Sequence, residues 1–248
     1  MASDDGLYTD LEKDFVDIAV RLFAPGTLAA TLQRIVEMAE QTIDGCDGAG
    51  IMTIVSHIAA TAAASNPLVA LLDRHQIEAN EGPCWDAATT RTTVYAADLA
   101  DDALWPTFGP QAIASGVRCV LAQTLSTQGA SALNLYAHLP SAFGATGRGQ
   151  GQLFATLAGL ALDAARGRAA EDDRSANLAH ALRSRELIGQ AQGILMERER
   201  ITAGQAFDIL RRSSQHLNVK LREIAVNLVE SGESPQVPES GRKTTGEN

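Results

Sequence analysis

The sequence contains few cysteines, and their spacing builds neither a disulfide framework nor a metal site. Cys46, Cys84 and Cys119 are the three cysteines of the 248-residue chain, and they lie far apart without a CxxC pair. No cysteine and histidine spacing of the zinc-binding type occurs either. We therefore expect free thiols in a reducing compartment and no metal ligands.

Neither a basic leader nor a long apolar run is apparent. The first residues, Met-Ala-Ser-Asp-Asp, are acidic where a secretory signal peptide is basic. No apolar run approaches the roughly 20 residues that a membrane-spanning helix needs. Because 45% of the residues are apolar, the chain is too hydrophobic to be disordered. We expect a soluble cytoplasmic protein with one substantial domain and one small domain.

Positive charge is scarce, and what there is of it is unevenly distributed. The chain has 20 lysines and arginines against 30 acidic residues, a net charge of −10. This excess argues against non-specific adhesion of the whole chain to nucleic acids or membranes. Residues 183–229 differ, because their eight cations and five carboxylates give a net charge of +3. A locally cationic segment therefore follows an acidic first region of the chain.

Three short amphipathic segments make up this cationic region. Apolar residues recur at three- and four-residue spacing in residues 182–198, which predicts a first helix. Thr202-Ala-Gly-Gln205 is typical of a capping box and opens a second helix, whose apolar stripe includes Phe207 and Leu217. We expect Asn218 to cap the third helix with its side chain. Together the segments predict a compact three-helix bundle.

Four cations of the bundle differ in how well helix electrostatics explains them. Lys220 and Arg222 lie in the first turn of the third helix, where the macrodipole disfavours a cation by roughly 0.3–1 kcal/mol. A helix amino terminus with two adjacent cations is, however, a favourable binding site for a phosphate oxygen. Arg211 and Arg212 lie near the end of the second helix, which favours cations. An ordinary solvated helix end explains them equally well.

A residue pattern that continues through all three segments carries a family resemblance. It comprises Arg185-x-x-Ile188-Gly-Gln-Ala191-Gln192-Gly193-Ile-Leu-Met196, then Thr202-x-x-x-Ala206-Phe207-x-x-Leu210-Arg211, then Ser214-Gln215-x-x-Asn218-x-Lys220-Leu221-x-x-Ile224-Ala225. The pattern resembles the ANTAR domain of transcription antiterminators over nearly all of that domain. The resemblance implies a three-helix RNA-binding unit that acts as a dimer on paired short hairpins and keeps a terminator hairpin from forming.

The predicted RNA-binding residues combine this resemblance with the placement of the polar side chains. Cations are expected at phosphates, and Gln215 or Gln192 at a splayed loop base. Gln192 departs from the family, which usually has Lys in its Ala-Lys-Gly signature, so a neutral hydrogen bond would replace one phosphate contact. The complete predicted set is Arg185, Gln192, Arg211, Arg212, Gln215, Asn218, Lys220 and Arg222.

Ahead of the bundle, helices and short strands are interleaved irregularly. This order favours an antiparallel sheet with helices on its faces over a regular parallel α/β fold. Strands 49–55 and 58–64 are expected to pair as a hairpin around Ser56-His57. The remaining predicted elements are helices at 9–24, 27–44, 66–75 and 105–115, a short helix after the Glu81-Gly82-Pro83 break, and strands at 92–97, 117–125 and 132–139.

Four sequence pieces of this region carry a second resemblance. They are Glu81-Gly-Pro-Cys84-Trp85-Asp86-Ala, Asp98-Leu with Trp105-Pro106-x-Phe108, Gly116-Val-Arg118-Cys119-Val, and Ala132-Leu-Asn134-Leu-Tyr136-Ala with Pro140-x-x-Phe143. In this order they resemble a GAF sensor domain of the type found ahead of ANTAR in actinobacterial proteins. The resemblance implies a small-ligand site between the sheet and a loop-and-helix lid. The cyclic-nucleotide signature Asn-Lys-x-x-x-Phe-Asp-Glu is missing, so no ligand or cofactor is assigned.

Cys84, Trp85, Trp105 and Arg118 are the candidates for lining the ligand pocket. A thiol beside Trp85 in the lid can sense oxidants if its pKa is lowered, but a buried structural cysteine is the more frequent case. The two tryptophans either line a pocket or fill the core. The core explanation leads in a domain with so few aromatic residues.

The connection between the two regions is expected to be helical. Residues 150–198 contain no proline, and leucines from Leu153 to Leu182 keep a near-heptad spacing typical of a dimer seam. Gly159 and Gly167 each weaken a helix by about 1 kcal/mol, so a break near Gly167 is the alternative. The predicted boundaries are a GAF-like sensor at 10–168, a helical linker at 169–182, an ANTAR-like domain at 183–231 and a disordered tail at 232–248.

The sequence thus predicts an α+β chain: a GAF-like antiparallel sheet flanked by helices, a helical linker and a small three-helix ANTAR-like bundle. We expect a signal-responsive, homodimeric RNA-binding transcription antitermination regulator without catalytic activity. One alternative is a DNA-binding regulator, because the first two bundle helices form an angled pair that suits a major groove. The third helix follows the second after only Asn218, and this and the family resemblance count against the alternative. The other is a thiol enzyme, since some GAF domains reduce free methionine sulfoxide with cysteines.

Overall fold

The computed structural model describes residues 16–125 and 130–233, and the chain divides into two compact units between Ala170 and Glu171. Residues 16–22 are helical, whereas residues 9–15 of the predicted first helix and most of the predicted tail lie outside the described ranges. The elements that follow are α1 (Leu28–Thr42), β1 (Gly48–Val55), β2 (Ile58–Ala64), α2 (Pro67–Ala79), α3 (Pro83–Thr90), β3 (Val94–Ala96), α4 (Phe108–Ala114), β4 (Cys119–Thr124), β5 (Ala130–Ala137), α5 (Ala145–Glu199), α6 (Ala203–Leu217) and α7 (Leu221–Ser231).

The five strands form one sheet in the order β2-β1-β5-β4-β3, and every neighbouring pair is antiparallel. The β1–β2 hairpin turns at Ser56 and His57, which both have positive φ angles of 49° and 66°. Two successive left-handed residues are the geometry of a type I′ turn, which matches the twist of the strands. The predicted hairpin and the predicted antiparallel sheet are confirmed.

Both faces of the sheet are covered by helices. Leu135 and Tyr136 are neighbours on β5 but belong to different buried clusters, because successive strand side chains point to opposite faces. On the Leu135 face, α1 and the early turns of α5 supply side chains such as Ile35 and Leu162. On the Tyr136 face, the cover comes from α2, α3 and α4. Each fully buried side chain of this size contributes roughly 1.5–3 kcal/mol.

The helix α2 begins where the sequence predicts and ends one turn later. The Asn66 side chain accepts a hydrogen bond from the Val69 amide at 3.1 Å, and Pro67 occupies the first turn. The helix continues beyond His75 to Ala79 and ends at Asn80, which is left-handed. The expected end at residue 75 is wrong because Gln76 is polar yet fully buried, so the apolar stripe breaks while the buried face continues.

Other boundaries also differ from the prediction by a few residues; the predicted strands 117–125 and 132–139 are observed as Cys119–Thr124 and Ala130–Ala137. Strand β3 spans Val94–Ala96 rather than residues 92–97, and α4 begins at Phe108 rather than at Trp105. Trp105 lies just ahead of α4, where its carbonyl oxygen accepts a hydrogen bond from the Gly109 amide at 2.8 Å.

The helix α5 is continuous over 55 residues and belongs to both units. It passes through Gly167 without interruption, so the alternative of a break at this glycine is wrong. The loss of roughly 1 kcal/mol at each glycine is small compared with the bonds that the remaining turns contribute.

The second unit, residues 171–233 of the described chain, has its own core where the last turns of α5 meet α6 and α7. Thr202 and Gln205 form the predicted capping box at the start of α6. The buried residues are Ala191, Leu195, Ala206, Leu210, Ile224, Ala225 and Leu228.

Two expectations for this bundle are wrong. Asn218 does not cap α7; it is left-handed, with φ of 52°, and its amide bonds to the Ser214 carbonyl to end α6. Asparagine tolerates this conformation and therefore suits a helix end as well as a helix start. Phe207 and Leu217, expected in the buried stripe, are 39% and 49% exposed because Ala206 and Leu210 occupy the contact with the core.

Candidate nucleic-acid interface and sensor site

Four predicted RNA-binding residues share the solvent side of α6. Arg211, Gln215 and Asn218 recur at spacings of four and three residues, and Arg212 is adjacent; all four are exposed. The opposite side of the helix carries Ala206, Leu210 and Ser213, which are buried. The structure therefore brings this part of the predicted set onto one surface.

The two arginines of this surface are held only weakly. Arg211 Nη2 lies 2.9 Å from Asp208 Oδ1, and Arg212 Nε donates to the Asp208 carbonyl oxygen at 3.3 Å. An exposed ion pair of this type contributes roughly 0–1 kcal/mol. Both guanidinium groups are therefore free to exchange these contacts for a phosphate.

Lys220 and Arg222 occupy the start of α7 in different ways. Lys220 is the exposed N-cap residue, and its side chain does not cap the helix. The Glu223 amide bonds to the Lys220 carbonyl oxygen at 2.8 Å, which leaves the Leu221 and Arg222 amides without a capping hydrogen bond. Arg222 is half-buried, and its Nη1 atom lies 3.0 Å from His180 Nε2 on α5. Because an arginine is only a donor, the histidine nitrogen accepts in this pair. Arg222 thus ties α7 to α5, whereas Lys220 points to solvent.

Gln192 and Arg185 lie on α5. The half-buried Gln192 donates from Nε2 to the Ala203 carbonyl oxygen at 3.1 Å, which joins α5 to the first residue of α6. Arg185 is exposed two turns earlier, on the same side of α5 by helical spacing. Since α6 separates Ala203 from Gln215 by about 18 Å of helix, Gln192 and Gln215 are at opposite ends of that helix.

A buried polar network occupies the interior of the first unit between α2, α3 and β5. Asn134 Nδ2 donates to Asp73 Oδ1 at 3.1 Å, and the Tyr136 hydroxyl donates to the same oxygen. Gln76 Nε2 lies 2.8 Å from both the Tyr136 hydroxyl and Cys84 Sγ, and its Oε1 accepts from the Cys84 amide at 2.9 Å. The network thereby connects three elements across the Tyr136 face of the sheet.

Burial dominates the electrostatics of this network. It raises the pKa of Asp73 from 3.8 to about 6, although hydrogen bonds from Tyr136 and Asn134 oppose the shift. Burial, reinforced by the negative charge of Asp73, also raises the pKa of the Cys84 thiol well above its ordinary value. A thiol that resists ionisation is a poor nucleophile. This environment fits the structural interpretation of Cys84 and not a reactive oxidant sensor.

The predicted lid contains a glycine that the network requires. Gly82 has φ of 128°, and a Cβ atom there would lie 2.2 Å from Gln76 Oε1. Beside it, Glu81 Oε1 accepts hydrogen bonds from the Thr107 and Phe108 amides at 2.5 and 2.6 Å, which caps α4. The lid is thus fixed to α2 on one side and to α4 on the other.

The predicted pocket residues are only partly brought together. Cys84 and Trp105 are buried in the same cluster, and the half-buried Trp85 packs against it. Trp105 Nε1 donates to Asp86 Oδ2 at 2.9 Å. Arg118 pairs instead with Asp98, with Nε and Nη2 at 2.8 and 2.5 Å from the two carboxylate oxygens, and this holds the pKa of Asp98 below its usual range.

Sequence reasoning missed the roles of Asp73 and Gln76. Both follow the helical spacing of the buried Val69 and Leu72 on α2, so polar residues on an apolar face were the available signal. Within residues 16–125 and 130–233, no group of three or more histidine, cysteine, aspartate or glutamate side chains is placed to hold a metal ion. Over the same residues, no helix combines the length and apolar character needed to cross a membrane.

Comparisons with known families and structures divide the chain in the same order. The GAF domain family matches residues 26–163, and the ANTAR domain family matches residues 176–229. Among curated proteins, no match was found.

Two solved structures illustrate the fold of the first unit. The free methionine-R-sulfoxide reductase from Neisseria meningitidis, in complex with its substrate, is 16% identical, with a TM-score of 0.51 over 68% of this chain and 96% of that one. The chromophore-binding domain of an unusual bacteriophytochrome from R. palustris is 9% identical, with a TM-score of 0.51 over 65% of this chain and 62% of that one. At these identities the similarity shows the fold alone.

Proposed function

Since this chain belongs to the GAF domain family and carries an ANTAR domain behind it, we propose that it is a signal-responsive antitermination regulator that binds paired RNA hairpins. ANTAR is an RNA-binding antitermination domain, and GAF is a signal-sensing domain. The proposed division is a sensor at residues 10–168, a linker at 169–182, an RNA-binding domain at 183–231 and a tail at 232–248. Acting on nascent transcripts, the protein would work in the cytoplasm.

The single observation that carries the RNA-binding proposal is the ANTAR match over the cationic bundle. The geometry supports it, because Arg211, Arg212, Gln215 and Asn218 share one exposed side of α6 and the start of α7 is uncapped beside Lys220. Cations and open helix amides suit phosphates, and exposed amides suit loop bases.

Two bundles are needed to bind the two hairpins of a paired target at once, so we propose that the protein is a homodimer. One bundle presents few cations, and linking two of them raises the affinity for a paired target without new contacts. Leu178 and Leu182 of α5 are 61% and 58% exposed, which supports the predicted seam on this helix. A change of dimer geometry is then the step through which the sensor acts on the bundles.

The sensor ligand is proposed to be a small molecule bound near Cys84, Trp85 and Trp105, with Arg118 as a more distant candidate. Because Cys84 and Trp105 are buried, a ligand that contacts them has to displace part of α3 or the segment before α4. Such a displacement would reach α2 through the Gln76 hydrogen bonds. This path supports a regulatory role for the domain.

The test is crosslinking of the full chain to RNA in cells, followed by sequencing of the bound fragments. We expect enrichment of transcripts that carry two short hairpins ahead of a terminator, and loss of this enrichment when Lys220→Ala and Arg222→Ala are combined. Equal recovery of all transcripts, or no difference between the wild type and the double variant, would exclude sequence-selective RNA binding by this surface.

A further inference from the structure

Phe207 is placed unusually for an aromatic residue. It is the only phenylalanine, tyrosine or tryptophan in residues 171–248. It nevertheless takes no part in the buried cluster of its unit and remains 39% exposed, while its neighbour Ala206 fills the core. The bundle therefore gives up the burial of its largest apolar side chain, and the fold alone does not explain the residue.

The surroundings of Phe207 are polar and carry charges of both signs, because Asp208 follows it directly and pairs with Arg211 at 2.9 Å. One turn earlier, the Ala203 carbonyl oxygen accepts the hydrogen bond from Gln192 of α5, and one turn later lies the exposed Arg211. The Gln192 amide nitrogen is used in this contact, while its Oε1 atom makes no hydrogen bond among the described residues. A flat apolar surface thus lies between a fixed acceptor and a cation.

Two glycines lie beside the surface formed by Phe207 and Gln192, although the packing of the helices does not require glycine at either position. Gly204 precedes Phe207 by three residues on α6, and Gly189 precedes Gln192 by three residues on α5. A Cβ atom at either position would meet nothing within 4 Å. Glycine inside a helix costs roughly 0.5–1 kcal/mol relative to alanine. Their effect is to leave open space next to Phe207 and Gln192.

We propose that Phe207 is the stacking platform for one splayed base of a bound RNA hairpin loop. Gln192 Oε1 accepts a hydrogen bond from an N–H on the edge of that base, and Arg211 contacts the adjacent phosphate. Loop bases are commonly recognised in this way, with an aromatic face below and polar groups at the edge. This inference rests on the proposed RNA-binding function.

The chemistry around Phe207 favours RNA over a protein partner. The surrounding segment 183–229 carries a net charge of +3, opposite to the −10 of the whole chain. A protein interface of useful affinity has a contiguous apolar centre, whereas here one aromatic ring is flanked by Gln192, by glycines and by the exposed Asp208–Arg211 ion pair. A stacked base needs only one ring and tolerates polar neighbours.

The experiment titrates fluorescent hairpins, taken from crosslinked transcripts, with the full chain and three variants. Phe207→Leu keeps apolar volume but removes the ring, Phe207→Tyr keeps the ring, and Leu217→Ala alters the other exposed large apolar residue of α6. We expect Phe207→Leu to weaken binding about 5- to 100-fold with an unchanged salt slope. We expect Phe207→Tyr and Leu217→Ala to stay within about 3-fold of the wild type.

Abasic substitutions in the loop identify the stacked base. One abasic position should weaken wild-type binding strongly and Phe207→Leu binding hardly at all, because the two changes remove the same contact. Binding of Phe207→Leu equal to the wild type would overturn the platform. Dissociation of the dimer by Phe207→Leu, measured by light scattering, would also overturn it, since the surface would then bind a second copy of the chain.

If the wild type itself binds no hairpin, the proposed RNA-binding function fails. Thermal unfolding of each variant is the folding control, and an unchanged unfolding temperature excludes misfolding as the cause of a loss of binding.

Discussion

The hydroxyl group of Tyr136 on β5 donates a hydrogen bond to the carboxyl group of Asp73 on α2, and both side chains are buried. Burial keeps the pKa of Asp73 near 6 despite this bond. Tyr136 also contacts Gln76, which holds Cys84 at the start of α3. The charge of one carboxyl group therefore acts on the helix and the lid that cover the sensor core.

The first prediction is a pH dependence of stability that Asp73 causes. Its folded pKa of about 6 exceeds the ordinary 3.8, so the folded chain binds more protons between these values. The stability that Asp73 contributes is complete below pH 3.8 and is lost as the pH rises through about 6. The total is ~3 kcal/mol. Asp73→Asn should remove this loss and gain stability relative to the wild type as the pH increases.

Urea unfolding between pH 4 and pH 7.5 measures this difference. Since other carboxylates titrate in the same range, only the variant-minus-wild-type difference reports Asp73. Glu78→Gln makes the same carboxylate-to-amide change on the exposed side of the same helix, outside the buried network, and is the matched control. Parallel curves for Asp73→Asn and the wild type would show that Asp73 does not titrate there.

A second prediction concerns the cap that Glu81 provides for α4. Replacing Glu81 by alanine leaves the Thr107 and Phe108 amides without their acceptor. We expect a loss of about 1–2 kcal/mol in the free energy of unfolding, as for other helix caps. Glu78→Ala, which removes an exposed carboxylate nearby, should cost less than about 0.5 kcal/mol. Equal costs for the two variants in urea unfolding would contradict a capping role.

Local signals account for what the sequence predicts well. The Thr202–Gln205 capping box, the Asn66 cap and the Ser56-His57 turn each depend on residues only a few positions apart. Such contacts form wherever the local backbone allows them. Strand alternation similarly assigns neighbours such as Leu135 and Tyr136 to opposite faces.

The features that the sequence does not predict have two causes. Some depend on partners far away in the chain, and others depend on which of two equally suitable local roles a residue takes. The Asp73 network needs β5, about 60 residues later, and no local pattern announces that a polar residue will be buried. Asn218 suits both the end of α6 and the start of α7, and only the assembled bundle decides. Phe207 fits the apolar stripe by spacing, yet the smaller Ala206 fills the core.

A third prediction addresses the dimer. Replacing Leu178 and Leu182 together by aspartate places charges on the proposed seam and should convert a dimer to a monomer in light scattering at micromolar concentration. Affinity for paired hairpins should then fall at least about tenfold, because the second bundle no longer adds to binding. Leu139→Asp, a matched change at a leucine that is 71% exposed in the first unit, should alter neither property. A wild-type monomer with full RNA affinity would refute the seam.

A fourth prediction separates phosphate contacts from base contacts. Lys220→Ala should weaken binding to all hairpins alike and reduce the slope of log affinity against log salt by roughly 0.7–0.9. Gln215→Ala should instead reduce discrimination between hairpin loops and leave the salt slope nearly unchanged. Titrations at several salt concentrations measure both quantities. Identical behaviour of the two variants would mean that this surface attracts nucleic acid by charge without distinguishing between loop sequences.

RNA selectivity of the full chain is the most direct measurement of the central claim. The hairpins enriched by crosslinking, and duplex DNA of matched length and varied sequence, are titrated side by side at the same salt concentrations. We predict that the best paired hairpin binds at least about tenfold more tightly than any duplex DNA, and that Lys220→Ala weakens this binding. Duplex DNA that binds as tightly as the best hairpin would contradict the RNA-binding function and favour a DNA-binding regulator.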